Sequence, residues 1–192
     1  VLGPFLTLAA YLAGSISFGL LLARREGVDL RSIGSGNIGA TNVGRALGKS
    51  RGRQVMLLDM LKGFVPVALA RWVLNLSWPW VTAVGIAAVL GHVLPIWHGF
   101  RGGKGAATAG GVLLAALPPI GGATLLTFVV VKKVSRRASV ASLSAATLAA
   151  CLVLLFDGRQ WPVLLGLGLW LIIVVRHAGN IARLLRGEEP PA

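Results

Sequence analysis

The sequence predicts an all-α integral membrane protein of seven transmembrane helices, and three observations carry that reading. Of its 192 residues 55% are apolar and only 13% charged, whereas a soluble domain has about a quarter charged. A mean hydropathy of +0.78 is too high for one anchor beneath a globular domain. The 19 basic residues, against 6 acidic ones, fall in blocks between the apolar stretches. A single cysteine, Cys151, excludes a disulfide framework within the chain and offers no metal cluster.

A spanning helix needs roughly 20 mostly apolar residues, and the stretches 1–23, 55–74, 80–97 and 138–156 meet that length. The first has no basic n-region or small-residue cleavage site, so it reads as a retained span. The stretch 161–175 spans with its flanks. The run 106–131 is interrupted by Pro118, Pro119, Gly121 and Gly122, a cluster that ends or kinks a helix. It is read as two short helices around Pro118-Pro119, because only then do segments 24–54, 98–105, 132–137 and 176–192 share one side. Those segments hold sixteen of the nineteen basic residues. Basic residues near span ends stay cytoplasmic, so the N-terminus is expected outside and the C-terminus on the cytoplasmic side. Two helices of about 12 residues each reach only about 18 Å, short of a hydrocarbon core of about 30 Å. The outer loops are too short for a site. The polar chemistry is therefore expected on the cytoplasmic side of one domain, residues 1–192.

The first polar segment, 34–45, has glycine at every second or third position. Its Gly34-x-Gly36-x-x-Gly39 run with Asp59 twenty positions on formally meets a dinucleotide fingerprint. That fingerprint needs a preceding strand and a βαβ unit, and here it follows a membrane span and Arg24-Arg25. The spacing instead suits an oxyanion cradle, with backbone amides around Gly36, Gly39 and Ala40, polar donors from Ser35, Asn37, Thr41 and Asn42, and a guanidinium fork from Arg45. The alternative is a flexible basic loop on lipid headgroups.

The second segment, 98–108, is no Walker loop, since Gly105 follows Lys104 where Ser or Thr should stand and the leading glycine spacing differs. A glycine run entering a helix still presents amides and a positive helix end to an anion, with Gly102, Gly103 and Gly105 around a mobile Lys104. The bland reading is a tight basic turn. In the tail, 176–189, a helix would put His177 and Asn180 on one face beside Arg176 and Arg183. A histidine there is the obvious proton acceptor near neutrality, against the alternative of an amphipathic surface helix. Asp59 and Lys62, three apart within a span, most simply pair. His92, in an apolar span, reads as structural, while Ser139 and Ser142 either cap the sixth span or donate to a ligand.

Together the segments GSGNIGATNVGR at 34–45, HVLPIWHGFRGGKGAAT at 92–108 and RHAGNIARLLRGEE at 176–189 resemble the acyl-phosphate-dependent glycerol-3-phosphate acyltransferases of bacteria, the PlsY family. The resemblance covers the whole chain in order and hydropathy. It implies transfer of a fatty acyl group from acyl phosphate to the sn-1 hydroxyl of glycerol 3-phosphate, giving lysophosphatidic acid and phosphate in phospholipid biosynthesis. By position it assigns the essential serine and arginine of the first motif to Ser35 and Arg45. The glycerol-phosphate loop falls on Gly102, Gly103, Lys104 and Gly105, the third motif's pair on His177 and Asn180, and its structural glutamate on Glu189. Arg101 and Ala106 stand where the family often has Lys and Val.

An acyl phosphate is already activated, so positioning the alcohol is much of the task. Direct attack without an acyl-enzyme is expected, Ser35 donating a hydrogen bond and His177, oriented by Asn180, taking the proton unless the departing phosphate does. Ser142 and Arg183 complete the binding set. The expected partners are the two substrates and membrane lipid, with no nucleic acid, no metal or other cofactor, and a monomeric chain. Rival readings are an organic-phosphate transporter or channel, whose sites lie near the midplane, and a nonenzymatic binder of anionic lipid.

Overall fold

The computed structural model describes residues 1–191; Ala192, the last residue of the expected domain, lies outside the described residues. The described residues form helices and connecting turns: α1 Leu2–Gly14, α2 Phe18–Arg25, α3 Ala40–Leu47, α4 Lys49–Ala68, α5 Trp78–Val93, α6 Ala106–Ala116, α7 Pro118–Ser135, α8 Ala138–Leu152, α9 Gln160–Arg176 and α10 Ala178–Leu185. Wider π-type turns extend α4 over Leu69–Val73 and α8 over Val153–Asp157. By length and apolarity Leu2–Arg25, Trp78–His98 and Ala138–Asp157 can each cross a membrane, and α9 with α10 would do so but for a 59° bend.

Two departures from the sequence reading have clear causes. Only one of the two helices around Pro118-Pro119 is short. α6 has 11 residues, about 16 Å, but α7 runs 18 residues to Ser135, about 27 Å. Pro118 and Pro119 occupy the first turn of α7, where a missing N–H breaks no intrahelical bond, so they start a helix instead of shortening one. The first span, expected continuous, is interrupted at Ser15–Ser17 between α1 and α2. Lys62 Nζ donates to the Ile16 carbonyl there at 2.8 Å. Broken backbone at membrane depth is tolerated when the protein itself supplies such partners.

Close helix contact depends on small residues, as expected where lipid tails give no hydrophobic drive between helices. A Cβ on Gly63 would sit 2.2 Å from the Thr108 carbonyl oxygen, and one on Gly111 2.0 Å from that of Met60, so α4 and α6 touch backbone to backbone. α5 runs through the centre, burying Val81, Val84, Ala88, Val89 and Val93 against Val67, Val112, Leu165 and Leu169. Leu57, Leu61, Val65, Leu126, Val129, Leu171 and Val175 remain exposed on the outer faces, the arrangement of a protein whose solvent is lipid.

Asp59 Oδ1 lies 2.9 Å from Lys62 Nζ, both side chains 4% exposed, and 3.6 Å from His92 Nδ1. Removing one member of a buried ion pair leaves an uncompensated charge, a loss of about 3 kcal/mol or more. Asp59→Asn is accordingly expected to lower the thermal midpoint of the purified protein in detergent sharply, and an unchanged midpoint would show that the pair is not a structural lock.

Candidate active site

The loop between α2 and α3 is organised by a residue expected to face a ligand. Asn42, 1% exposed, donates from Nδ2 to the carbonyls of Leu30 and Ile33, each at 3.0 Å, and accepts the Ser35 N–H on Oδ1 at 3.1 Å. Both ends of its amide are thereby engaged, so Asn42 shapes the cradle instead of filling it. Gly34, at φ +56°, is required twice over: by that left-handed backbone and because a Cβ there would lie 2.6 Å from Asn42 Oδ1. The turn leaves Ser35 exposed. Asn37 and Gly36 are half-buried beside it, and Gly39 is the N-cap of α3. The first amides of that helix, around Ala40 and Thr41, have no intrahelical partner. Arg45, one helical turn further, donates to the Pro191 carbonyl and so ties this segment to the tail.

The glycine run after α5 is also partly used by the fold. Gly102 N–H donates to the Val93 carbonyl at 3.2 Å and Gly103 N–H to that of His92 at 3.1 Å, which satisfies the orphan end of α5. Arg176 donates back to the carbonyls of Gly103 and Gly102, from Nε and Nη2, each at 3.2 Å. The two amides expected to hold an anion are thus occupied. The positive end that remains is that of α6, N-capped by Gly105 at φ +84°, with Lys104 immediately before it. The three nearest atoms a Cβ on Gly103 would meet all belong to the His92 ring, Nε2 at 2.2 Å, so His92 underlies the loop that carries Lys104.

In the third segment the chain turns at His177, which ends α9 and precedes α10. His177 is 3% exposed, and its Nδ1 lies 2.8 Å from the Ile173 carbonyl. A carbonyl only accepts, so Nδ1 carries the proton and Nε2 the lone pair. Asn180 does not orient this ring. Its Nδ2 donates to Glu189 Oε1 at 2.6 Å, which also accepts from Ser139 Oγ at 2.6 Å, while Arg183 Nε donates to Oε2 at 2.8 Å. Arg137 Nε holds the Glu189 carbonyl at 3.1 Å. Burial alone would raise the Glu189 carboxyl, but the hydrogen bonds from Ser139, Asn180 and Arg183 outweigh it and hold it below the usual range. Neither serine of α8 caps the helix: Ser139 is on Glu189 and Ser142 Oγ donates to the Ala138 carbonyl at 2.9 Å.

These contacts bring the three segments to one place. Burial, reinforced by the positive Arg183, Arg176 and Arg45 and opposed by Glu189, lowers Lys104 to about 8. Burial also lowers His177 to about 4, with Lys104 and Arg176 adding to the shift and the Ile173 carbonyl and Glu189 opposing it. Arg45, Arg176 and Arg183, from the first and third segments, therefore act together on Lys104 in the second, Lys104 and Arg176 stand near a neutral imidazole, and the carboxylate among them, Glu189, is already bound. Sequence reasoning missed the structural work of Arg176, Arg137 and Ser139. Asp59, Lys62 and His92 lie below this face, joined to it through the His92 carbonyl.

The chain matches the family model described as Glycerol-3-phosphate acyltransferase over residues 4–187. It is 48% identical over 191 residues to the glycerol-3-phosphate acyltransferase of Thioalkalivibrio sulfidiphilus, covering 99% of this chain and 94% of that protein. It is 46% identical to that of Aquifex aeolicus, covering 96% of each. Its fold is similar to the crystal structure of PlsY, an integral membrane glycerol 3-phosphate acyltransferase, in the glycerol 3-phosphate form, with TM-score 0.96, 41% identity and coverage of 100% of this chain and 96% of that one. For the lysophosphatidic acid form of PlsY the TM-score is 0.91 at the same identity, covering 100% of this chain and 95% of that one.

Proposed function

The chain belongs to the glycerol-3-phosphate acyltransferase family, and from that premise we propose that it moves a fatty acyl group from an acyl phosphate to the sn-1 hydroxyl of glycerol 3-phosphate at the cytoplasmic face of a bacterial inner membrane. The observation that supports the donor assignment is the gathering of Arg45, Arg176 and Arg183 near Lys104, with Glu189 as their carboxylate already bound by Arg183. Two phosphate-bearing substrates repel one another unless a site supplies that much positive potential. A topology of seven traverses with the N-terminus outside, which would keep sixteen of the nineteen basic residues on one side, supports a cytoplasmic position for this face.

The reaction is a direct displacement. The glycerol hydroxyl oxygen forms a bond to the acyl carbonyl carbon, the bond from that carbon to the phosphate oxygen breaks, and the hydroxyl proton leaves with the phosphate. Ser35 is a hydrogen-bond donor and not a nucleophile; among the described residues no hydrogen bond joins it to His177. His177, lowered to about 4, is neutral at working pH but a poor proton acceptor beside a phosphate whose second pKa is about 6. It serves by holding the attacking hydroxyl on its Nε2 lone pair, with the amides of Gly39, Ala40 and Gly105 assisting the anions; Ser142, whose hydroxyl is bound to the Ala138 carbonyl, supports α8 instead.

Purified protein given acyl phosphate and glycerol 3-phosphate should release lysophosphatidic acid and phosphate. Product formed only from acyl-CoA or an acyl carrier protein would overturn the donor assignment, and uptake into proteoliposomes without chemistry would favour a transporter. His177→Ala should lower kcat about 100-fold, with His177→Gln keeping more of it. Near-normal turnover in both would remove His177 from the reaction.

A further inference from the structure

A cavity of about 960 Å³ lies apart from that site, between the end of α2, the loop that follows it and the connection from α5 to α6, lined by Leu20, Arg24, Arg31, Trp97, His98 and Arg101 among others. None of the residues placed in the acyl-transfer site lines it. Its electrostatics are unbalanced. Glu26, Asp59, Asp157, Glu188 and Glu189 are each paired with a base elsewhere, and Arg24, Arg31 and Arg101 form no ion pair among the described residues. The one carboxylate at the cavity, Asp29, accepts the Arg31 backbone N–H at 2.9 Å. Arg31 Nη2 also donates to the Arg101 carbonyl at 3.3 Å, which holds the two basic walls together.

We propose that this cavity binds the phosphate headgroup of an anionic membrane phospholipid. Three guanidiniums facing one carboxylate, Asp29, that pairs with none of them leave an excess of positive charge that selects an anion. The neighbouring chain selects a lipid over a free phosphate: Trp97 lines the cavity, Leu94, Ile96 and Phe100 are exposed with it on the same connection, and the Trp97 indole N–H donates to the Leu12 carbonyl at 3.3 Å, the posture of an aromatic residue at a membrane interface. Phe100 is held at φ +60° beside Gly99 at the same value, an uncommon conformation for a bulky residue, and it stands in the chain between the lining residues Gly99 and Arg101. The next residues, Gly102 to Lys104, form the loop of the acyl-transfer site, so a lipid seated here would steady the loop from outside.

The test reads binding and not turnover, so it stands apart from the acyl-transfer reading. The full chain is placed in phosphatidylcholine vesicles with or without brominated phosphatidylglycerol, and tryptophan quenching is followed; Trp97→Phe identifies the component from this site. The variant Arg24→Gln/Arg31→Gln/Arg101→Gln should need far more phosphatidylglycerol for the same quenching, about fivefold for each arginine removed. The control Lys49→Gln/Arg53→Gln/Lys133→Gln removes equal charge from exposed positions away from the cavity and should quench like the parent. Arg31→Gln alone is read in the same way should the triple variant not fold. Equal loss in control and variant, or no loss in the variant, overturns the proposal, as does displacement of the lipid by inorganic phosphate, which would mark a site for the free anion.

Discussion

Gly103→Ala is expected to lower kcat/KM by at least about 100-fold, and His92→Ala in the same chain should return part of what is lost. The added methyl would lie 2.2 Å from His92 Nε2, and its three nearest neighbours all belong to that one ring. Gly103 cannot retreat, because its N–H is bound to the His92 carbonyl and its own carbonyl to Arg176. The loop must then shift together with Lys104, and a displacement near 1 Å in a reacting assembly costs about 100-fold. Trimming His92 to Ala removes the obstacle. Kinetics of the parent, the two single variants and the double variant form a cycle in which contacting residues are non-additive. Strict additivity would show that His92 does not support the loop.

Substitution of Lys104 by Met should raise KM for glycerol 3-phosphate about 10- to 100-fold, the contribution of one charged hydrogen bond. The pH dependence gives a sharper test of its role. With Lys104 at about 8, the ammonium is present below that pH and lost above it, so kcat/KM for the parent should fall as pH rises through 8. A bound phosphate favours the charged form, so in kcat the same limb should move to higher pH. Lys104→Arg stays charged throughout the range and should lose the alkaline limb even where its rate is low. A limb at about 8 that persists in Lys104→Arg would assign the titration to another group.

Much of the site was legible because its chemistry is written in contiguous residue types: glycines with Ser35 and Arg45, glycines with Lys104, and His177 beside Asn180. The roles within those segments were less so. Asn42 looks like a ligand donor and Asn180 like the partner that orients His177, yet one is bound to Leu30, Ile33 and Ser35 and the other to Glu189. Gly102 and Gly103 look like open amides, yet the end of α5 claims both. A polar group's partner depends on chain segments far away in sequence, and nothing local to the group announces it.

The helix around Pro118-Pro119 shows the same division. Proline restricts the chain wherever it stands, but whether it ends one helix or starts another depends on the backbone conformation of Leu117 and the packing of α7 on α6. By itself the sequence determined that this protein is a helical membrane protein with its polar residues gathered in a few connecting segments, because hydropathy and charge add along the chain residue by residue. Only the tertiary structure decided which donors and cations remain available to a ligand, because hydrogen bonds are exclusive and the fold takes its own share first.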